Sequence, residues 1–200
     1  MTESDEQYPG YSKVLRFVGP KLACSAFNNY QVLDDEHSSR RRQALDLVVK
    51  YARNVKDTNG RNLILIGSVG TGKDHLAIAT LRAAMSFGMT ARYVSGIGLI
   101  NICRQHFREH SEEVPPDWQS VDLLVISDIE PTPYKISDFE ERCLYSLMNY
   151  RYMQMLPTVV TTNIPKRSAL ADLIGERTVD RLFGDAVVVP MIWPSFRHRG

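Results

Sequence analysis

A chain of 200 residues with 44% hydrophobic content makes one ordinary globular domain, large enough for a full core and too short for two. Its 24 basic and 23 acidic residues leave a formal net charge of +1, which excludes a globally basic nucleic-acid binder and confines any DNA contact to local patches such as Arg40-Arg41-Arg42. Cys24, Cys103 and Cys143 form no CxxC or zinc-spaced pair, the start MTESDEQYPGYSK is acidic and polar rather than a signal peptide, and no apolar run approaches membrane-spanning length. Reduced thiols in a cytoplasmic protein are the expectation.

Residues 1–37 contain Pro9, Gly10, Gly19 and Pro20 and little periodicity, so they read as an N-terminal arm, partly disordered, ahead of a domain over 38–200. Within the arm, Phe27 and Tyr30 are expected to pack on the core. Ser38 or Ser39 can cap a helix in which Leu45, Val48, Val49, Ala52 and Val55 make one stripe. A turn at Asp57–Gly60 leads into a buried strand, Leu63 to Ile66, and a helical pattern starts at His75.

Between that strand and helix lies GSVGTGKD, the Gly-x-x-Gly-x-Gly-Lys pattern of a phosphate-binding loop. Gly67, Gly70 and Gly72 let the backbone turn its amides inward. The helix supplies free N–H groups and a positive dipole end, and Lys73 reaches the outer phosphates. The nucleotide-binding set is therefore Gly67, Ser68, Val69, Gly70, Thr71, Gly72, Lys73, Asp74 and His75.

Further on, Phe87-Gly88-Met89 ends the helix, Ala91–Ser95 is a short strand, and GIGLINICRQHFREH is the next helix, broken over Glu112–Pro116; Pro115-Pro116-Asp117 marks a loop. Val121–Glu130 is a continuous apolar run that ends in acidic residues, where ligands bind in open α/β sheets. Ile136–Gln154 reads as a helix capped by Ser137 or Asp138, Pro157–Thr162 as a strand ending at Asn163, SALADLIGERTVDRLF as two short helices parted near Gly175, and DAVVVPM as a last strand. The alternation predicts a parallel sheet with helices on both faces.

The ordered set GTGKDHLA, VDLLVISDIE, TVVTTN, IGERTVDRL and WPSFRHR, spread from Phe27 to Arg199, resembles the AAA+ family of DnaC-type helicase loaders and IstB-type transposition helpers. The resemblance implies a three-layer P-loop NTPase fold of AAA+ type, α/β, with no separate lid domain. It also implies ATP or ADP with Mg2+, and a replicative DNA helicase or a transposase as partner. Asn163 matches the sensor that positions attacking water, Arg181 the arginine finger offered in trans to a self-associated neighbour, and Arg197 the second sensor in its own subunit. The residues alone also admit a surface ion-pair cluster around Arg177, Arg181, Glu176 and Asp180, a capping role for Asn163 and a solvated Arg197.

The chain departs from the family pattern at the metal. Where a phosphate loop has Ser or Thr to ligate magnesium stands Asp74, and where the acidic strand has its metal Asp stands Ser127, followed by Asp128 in place of the catalytic Glu. One reading is an exchange of roles: Asp74 takes the metal, Ser127 hydrogen-bonds to it, and Asp128 orients water. A register shift instead makes Asp128 the metal residue and Glu130 the base, against the match of VDLLVI. A third reading is a decayed site, a switch module with little or no hydrolysis. Single-stranded DNA binding on Arg104, Arg108 and Arg40–Arg42 is a further expectation. A small-molecule kinase would need a lid of clustered arginines and an acceptor pocket, and the sequence offers neither.

Overall fold

The computed structural model describes residues 12, 14, 16–108, 116–130 and 135–198. Five strands, β1 Leu63–Gly67, β2 Ala91–Ser95, β3 Leu123–Ser127, β4 Thr158–Thr162 and β5 Val187–Met191, form one wholly parallel sheet in the order β2-β3-β4-β1-β5. Every residue of β3 and β4 is buried, which is why both read as unbroken β-branched or apolar runs. Placing β1 between β4 and β5 brings the ends of β1, β3 and β4 to one edge of the sheet.

Helices follow the strands in turn: α1 Pro20–Ala23, α2 Ser38–Arg53, α3 Lys73–Ser86, α4 Gly96–Arg108, α5 Pro116–Gln119, α6 Asp138–Met153, α7 Arg167–Ile174 and α8 Glu176–Phe183. Leu63, Leu65, Val125, Val159 and Val189 face α2 and α3, whereas Ile64, Leu124, Ile126 and Val160 face α4, α6, α7 and α8. Burial of alternate residues on opposite sheet faces gives the three layers that the alternating pattern predicts. Among the described residues no helix is long and apolar enough to cross a membrane.

Ser137 does cap α6, accepting from Glu140 N–H while the Glu140 carboxylate accepts from Ser137 N–H. At α2 the expectation fails. His37 occupies the N-cap position without a side-chain bond, and Ser38 and Ser39 lie inside the helix. The chain has already turned before them, because the Asp35 carboxylate accepts from His37 N–H and the Asp35 carbonyl from Ser38 N–H. Pro116 and Asp117 lie in α5 rather than a loop, with Pro in the first helical turn where its missing N–H costs nothing; residues 109–115 fall outside the described residues.

Two further expectations are corrected. Cys103 on α4 and Cys143 on α6 are buried against each other with Cα atoms 6.2 Å apart and are joined as a disulfide, not reduced thiols, because both helices pack on the same sheet face. Arg41 is wholly buried: it pairs with Asp35, and its guanidinium lies 5.3 Å from the Phe196 ring and 5.8 Å from Trp193. Only Arg40 and Arg42 of that basic run face solvent. Among the described residues of the 1–37 segment, Val14, Val18 and Ala23 pack on Ile78, and Tyr30 joins the core under the phosphate loop.

A second buried arginine fixes the entry to the central strands. Arg151 donates through Nε to Thr158 Oγ1 at 3.0 Å and through its Nη atoms to the carbonyls of Gln119, Val121 and Pro157 at 3.0, 2.9 and 2.7 Å. Burial pulls its pKa down to about 10. Arg151→Ala strands these acceptors and opens a cavity, so urea denaturation should show a loss of about 3–5 kcal/mol with the slope unchanged.

Candidate functional site

β1 ends at Gly67 and α3 begins at Lys73, so the intervening loop stands at the C-terminal edge of the sheet. Gly70 and Gly72 have φ of +80° and +92°; a Cβ on Gly70 would lie 2.0 Å from Ser195 Oγ, and one on Gly72 2.8 Å from the Tyr30 ring. Only glycine fits both the conformation and the space. The loop is held from outside by Trp193 Nε1, which donates to Thr71 O at 3.0 Å, and by Phe196 N–H, which donates to Gly70 O at 2.9 Å, and from within by Thr71 Oγ1, which donates to Ser68 O at 2.9 Å. With its carbonyls engaged in this way, the loop can direct its amides to an anion at the head of α3.

Lys73 is buried and uses all its donors, to Gly67 O (2.9 Å), Ser68 O (3.0 Å) and Asn163 Oδ1 (2.8 Å). Burial pulls its pKa down, and the carboxylates of Asp128, Asp74 and Glu130 partly restore it. Asn163, at the end of β4, is the hub: its Nδ2 donates to Asp128 Oδ1 at 3.0 Å and its backbone N–H to Glu130 Oε1 at 2.6 Å. Glu130 Oε2 is buried without a partner. Asp128 sits at φ +45°, held there by donation from its N–H to Thr161 Oγ1 at 2.8 Å. Burial first, then Asp74 and Glu130, pushes its pKa up, the direction that suits a residue handling a proton.

Asp74 and Ser127 meet. Ser127 Oγ donates to Asp74 Oδ1 at 2.7 Å, and Thr161 Oγ1 donates to the same oxygen at 3.0 Å. Among the described residues Asp74 Oδ2 takes no hydrogen bond, and no group of three or more His, Cys, Asp or Glu forms a protein-only metal cage. The donors are all oxygen and one carboxylate is left open, which fits Mg2+, a hard ion that keeps waters and binds through one or two carboxylates plus substrate phosphates.

A cleft of about 630 Å³ opens beside the loop, lined by Gly70, Gly72, Lys73, Asp74 and His75 and walled by Tyr30, Asn29 and Ser25 from the N-terminal segment and by Phe196 and Arg197 from the tail. His75 Nε2 lies 2.8 Å from Ala26 O, tying that wall to α3. Ser68 and Val69 are exposed at the rim. Arg197 is exposed beside Gly70 and close enough to depress the Lys73 pKa further.

Arg181 is not part of this cluster. Asn62, which precedes β1, donates to the carbonyls of Arg181 and Leu182 at 3.2 and 3.0 Å, so α8 closes on the opposite end of the strand from the loop. At about 3.3 Å per residue the strand separates them by roughly 16 Å. Arg177 and Arg181 line a second cleft with Arg167, Glu176 and Asp180. The sequence places Tyr30 on the core and quotes Thr161, Trp193 and Phe196 only within motifs, giving none of the four a role at the site. For Thr161 there was a signal, a polar residue at the end of an apolar strand.

The model of the family described as IstB-like ATP binding proteins matches residues 16–200. The replicative helicase loader DnaC of Escherichia coli K12 is 28% identical over 180 residues, which span 88% of this chain and 70% of that protein. Among solved structures, a crystal structure of the DnaC helicase loader superposes with a TM-score of 0.74 at 22% identity, over 85% of this chain and 98% of that one. The replication initiator DnaA bound to AMPPCP and single-stranded DNA superposes with a TM-score of 0.69 at 22% identity, over 87% of this chain and 50% of that one. At these identities the two structures bear on the fold.

Proposed function

The chain belongs to the family of IstB-like ATP-binding proteins, and from that premise we propose that it is a nucleotide-controlled loader that assembles on a replicative DNA helicase and helps place it on DNA. The observation that carries the proposal is the Lys73–Asn163–Asp128 chain of hydrogen bonds across the phosphate loop. A γ-phosphate entering the loop must take Lys73 from Asn163, and this frees the amide to contact the phosphate or water. Bound ATP and bound ADP therefore leave Asn163 and Asp128 in different company, which is what a nucleotide switch requires.

Mg2+ would be held by Asp74, itself oriented by Ser127 and Thr161, and supplies charge neutralisation at the outer phosphates when bound. Asp128 orients water. Arg197, beside Gly70, answers to the nucleotide of its own subunit. Arg181, at the far end of β1, serves that of a neighbour, so nucleotide bridges self-associated copies. Single-stranded DNA contact falls to Arg40 and Arg42, with Arg108, whose side chain lies outside the described residues; Arg41 is buried, and Arg104 is engaged by Glu140 at 2.6 Å.

The test is co-purification of the full chain with a replicative helicase hexamer in ATP, in ADP and without nucleotide. Retention that depends on ATP supports the loader. Equal retention in all three states rejects nucleotide control. The resemblance to IstB-type transposition helpers supplies the second reading, and ATP-dependent capture by a transposase instead of a helicase would assign the chain to that role.

A further inference from the structure

Arg181 does not hang free from α8. Its Nε donates to Asn149 Oδ1 at 3.0 Å and its guanidinium lies 4.7 Å from the centre of the Tyr152 ring, both residues being on the last turns of α6. Its remaining contact, from Nη1 to Asp180, is long at 3.5 Å, and Asp180 is shared with Arg167 at 3.1 Å. Tyr152 is 53% exposed, so its ring covers nothing in the core.

We infer that Asn149 and Tyr152 are positioning residues that present Arg181 to the phosphates of a nucleotide on a second copy of the chain. The inference rests on the finger reading given under Proposed function and adds to it the residues that set the finger's geometry. A guanidinium has five donors in a rigid plane. Asn149 consumes the inner donor, Nε, and Tyr152 supports one face of the plane, so the outer edge with its Nη donors is left in a single orientation. This is the edge that recognises phosphate oxygens in pairs. Without these supports the side chain must be ordered at the moment of contact, and its rotamer freedom corresponds to about ten- to thirtyfold in an equilibrium constant.

Neither residue touches the chain's own phosphate loop. Tyr152→Ala and Asn149→Ala should thus leave the ATP affinity of the dilute monomer unchanged while weakening self-association in the presence of Mg2+ and a non-hydrolysable ATP analogue. Sedimentation velocity of the full chain should show each variant associating about ten- to thirtyfold more weakly, with Tyr152→Phe, which keeps the ring, restored to wild type. Arg181→Ala should show no analogue-dependent association. If Arg181→Ala loses association while Tyr152→Ala and Asn149→Ala keep it, the finger stands and the positioning role is overturned. If Arg181→Ala associates as wild type does, or if the wild type associates in no nucleotide state, the finger reading falls and the positioning role falls with it.

Discussion

Lys73→Ala is expected to lower ATP affinity by about 3–4 kcal/mol, or on the order of 10²–10³-fold, with little change in fold. In the free protein Nζ satisfies three neutral oxygens, those of Gly67, Ser68 and Asn163, at 2.8–3.0 Å. Phosphate replaces them with charged acceptors, and charge-assisted hydrogen bonds are roughly twice as strong as neutral ones. Removing the ammonium leaves the loop amides and the helix terminus to hold the phosphates alone. Isothermal titration with ATP and Mg2+ reads the affinity, and the circular dichroism spectrum reports the fold. The same lysine dictates a pH dependence. Burial lowers its pKa, so the cation that phosphate needs is lost as pH rises through a value below the ordinary lysine range, and ATP affinity should fall there. Lys73→Ala should lack that fall. A variant that binds ATP as wild type does would place the nucleotide somewhere other than this loop.

The parts of this molecule that depend on local pattern could be read before any coordinates. Strands β1, β3 and β4 are buried on both faces, so their continuous runs of Leu, Ile, Val and Thr have one interpretation, and Ser137 with Glu140 announces the start of α6 through a capping box. The parts that depend on what lies opposite could not. Arg41 sits in a run of three arginines that reads as a solvated face, yet it is buried between its partner Asp35 and the rings of the tail residues Trp193 and Phe196, more than 150 positions away. Cys103 and Cys143 are 40 residues apart and meet because α4 and α6 share a sheet face. Thr161 shows the same limit at the site. Its hydroxyl supports both Asp74 and the backbone of Asp128, a double role set by β4 lying next to β3 and by α3 crossing above. The motif order marked Asp74 and Ser127 as unusual for the family, but only packing shows that they touch.

That contact gives the sharpest test of the metal reading. The double variant Asp74→Thr/Ser127→Asp is expected to bind ATP in a magnesium-dependent way although each single variant does not. The hydroxyl and the carboxylate lie 2.7 Å apart, so exchanging them restores the usual Thr and Asp arrangement while conserving the pair's charge. Asp74→Thr alone leaves three hydroxyls, those of positions 74, 127 and 161, facing one another with no carboxylate among them. Ser127→Asp alone sets two carboxylates at hydrogen-bond distance, where they repel unless a cation lies between them. Thr161 serves either arrangement, because it donates to Asp74 from the adjacent strand and β3 and β4 are direct neighbours in the sheet. Residues in contact couple by roughly 0.5–3 kcal/mol in a double-mutant cycle, whereas independent sites add. The measurement is ATP affinity by titration with and without Mg2+ for the four proteins of the cycle. A coupling energy above about 1 kcal/mol that appears only with Mg2+ makes the exchange functional. Additive single effects, or a wild-type affinity indifferent to Mg2+, would mean that Asp74 and Ser127 form an ordinary hydrogen bond beside a loop that binds nucleotide without the metal.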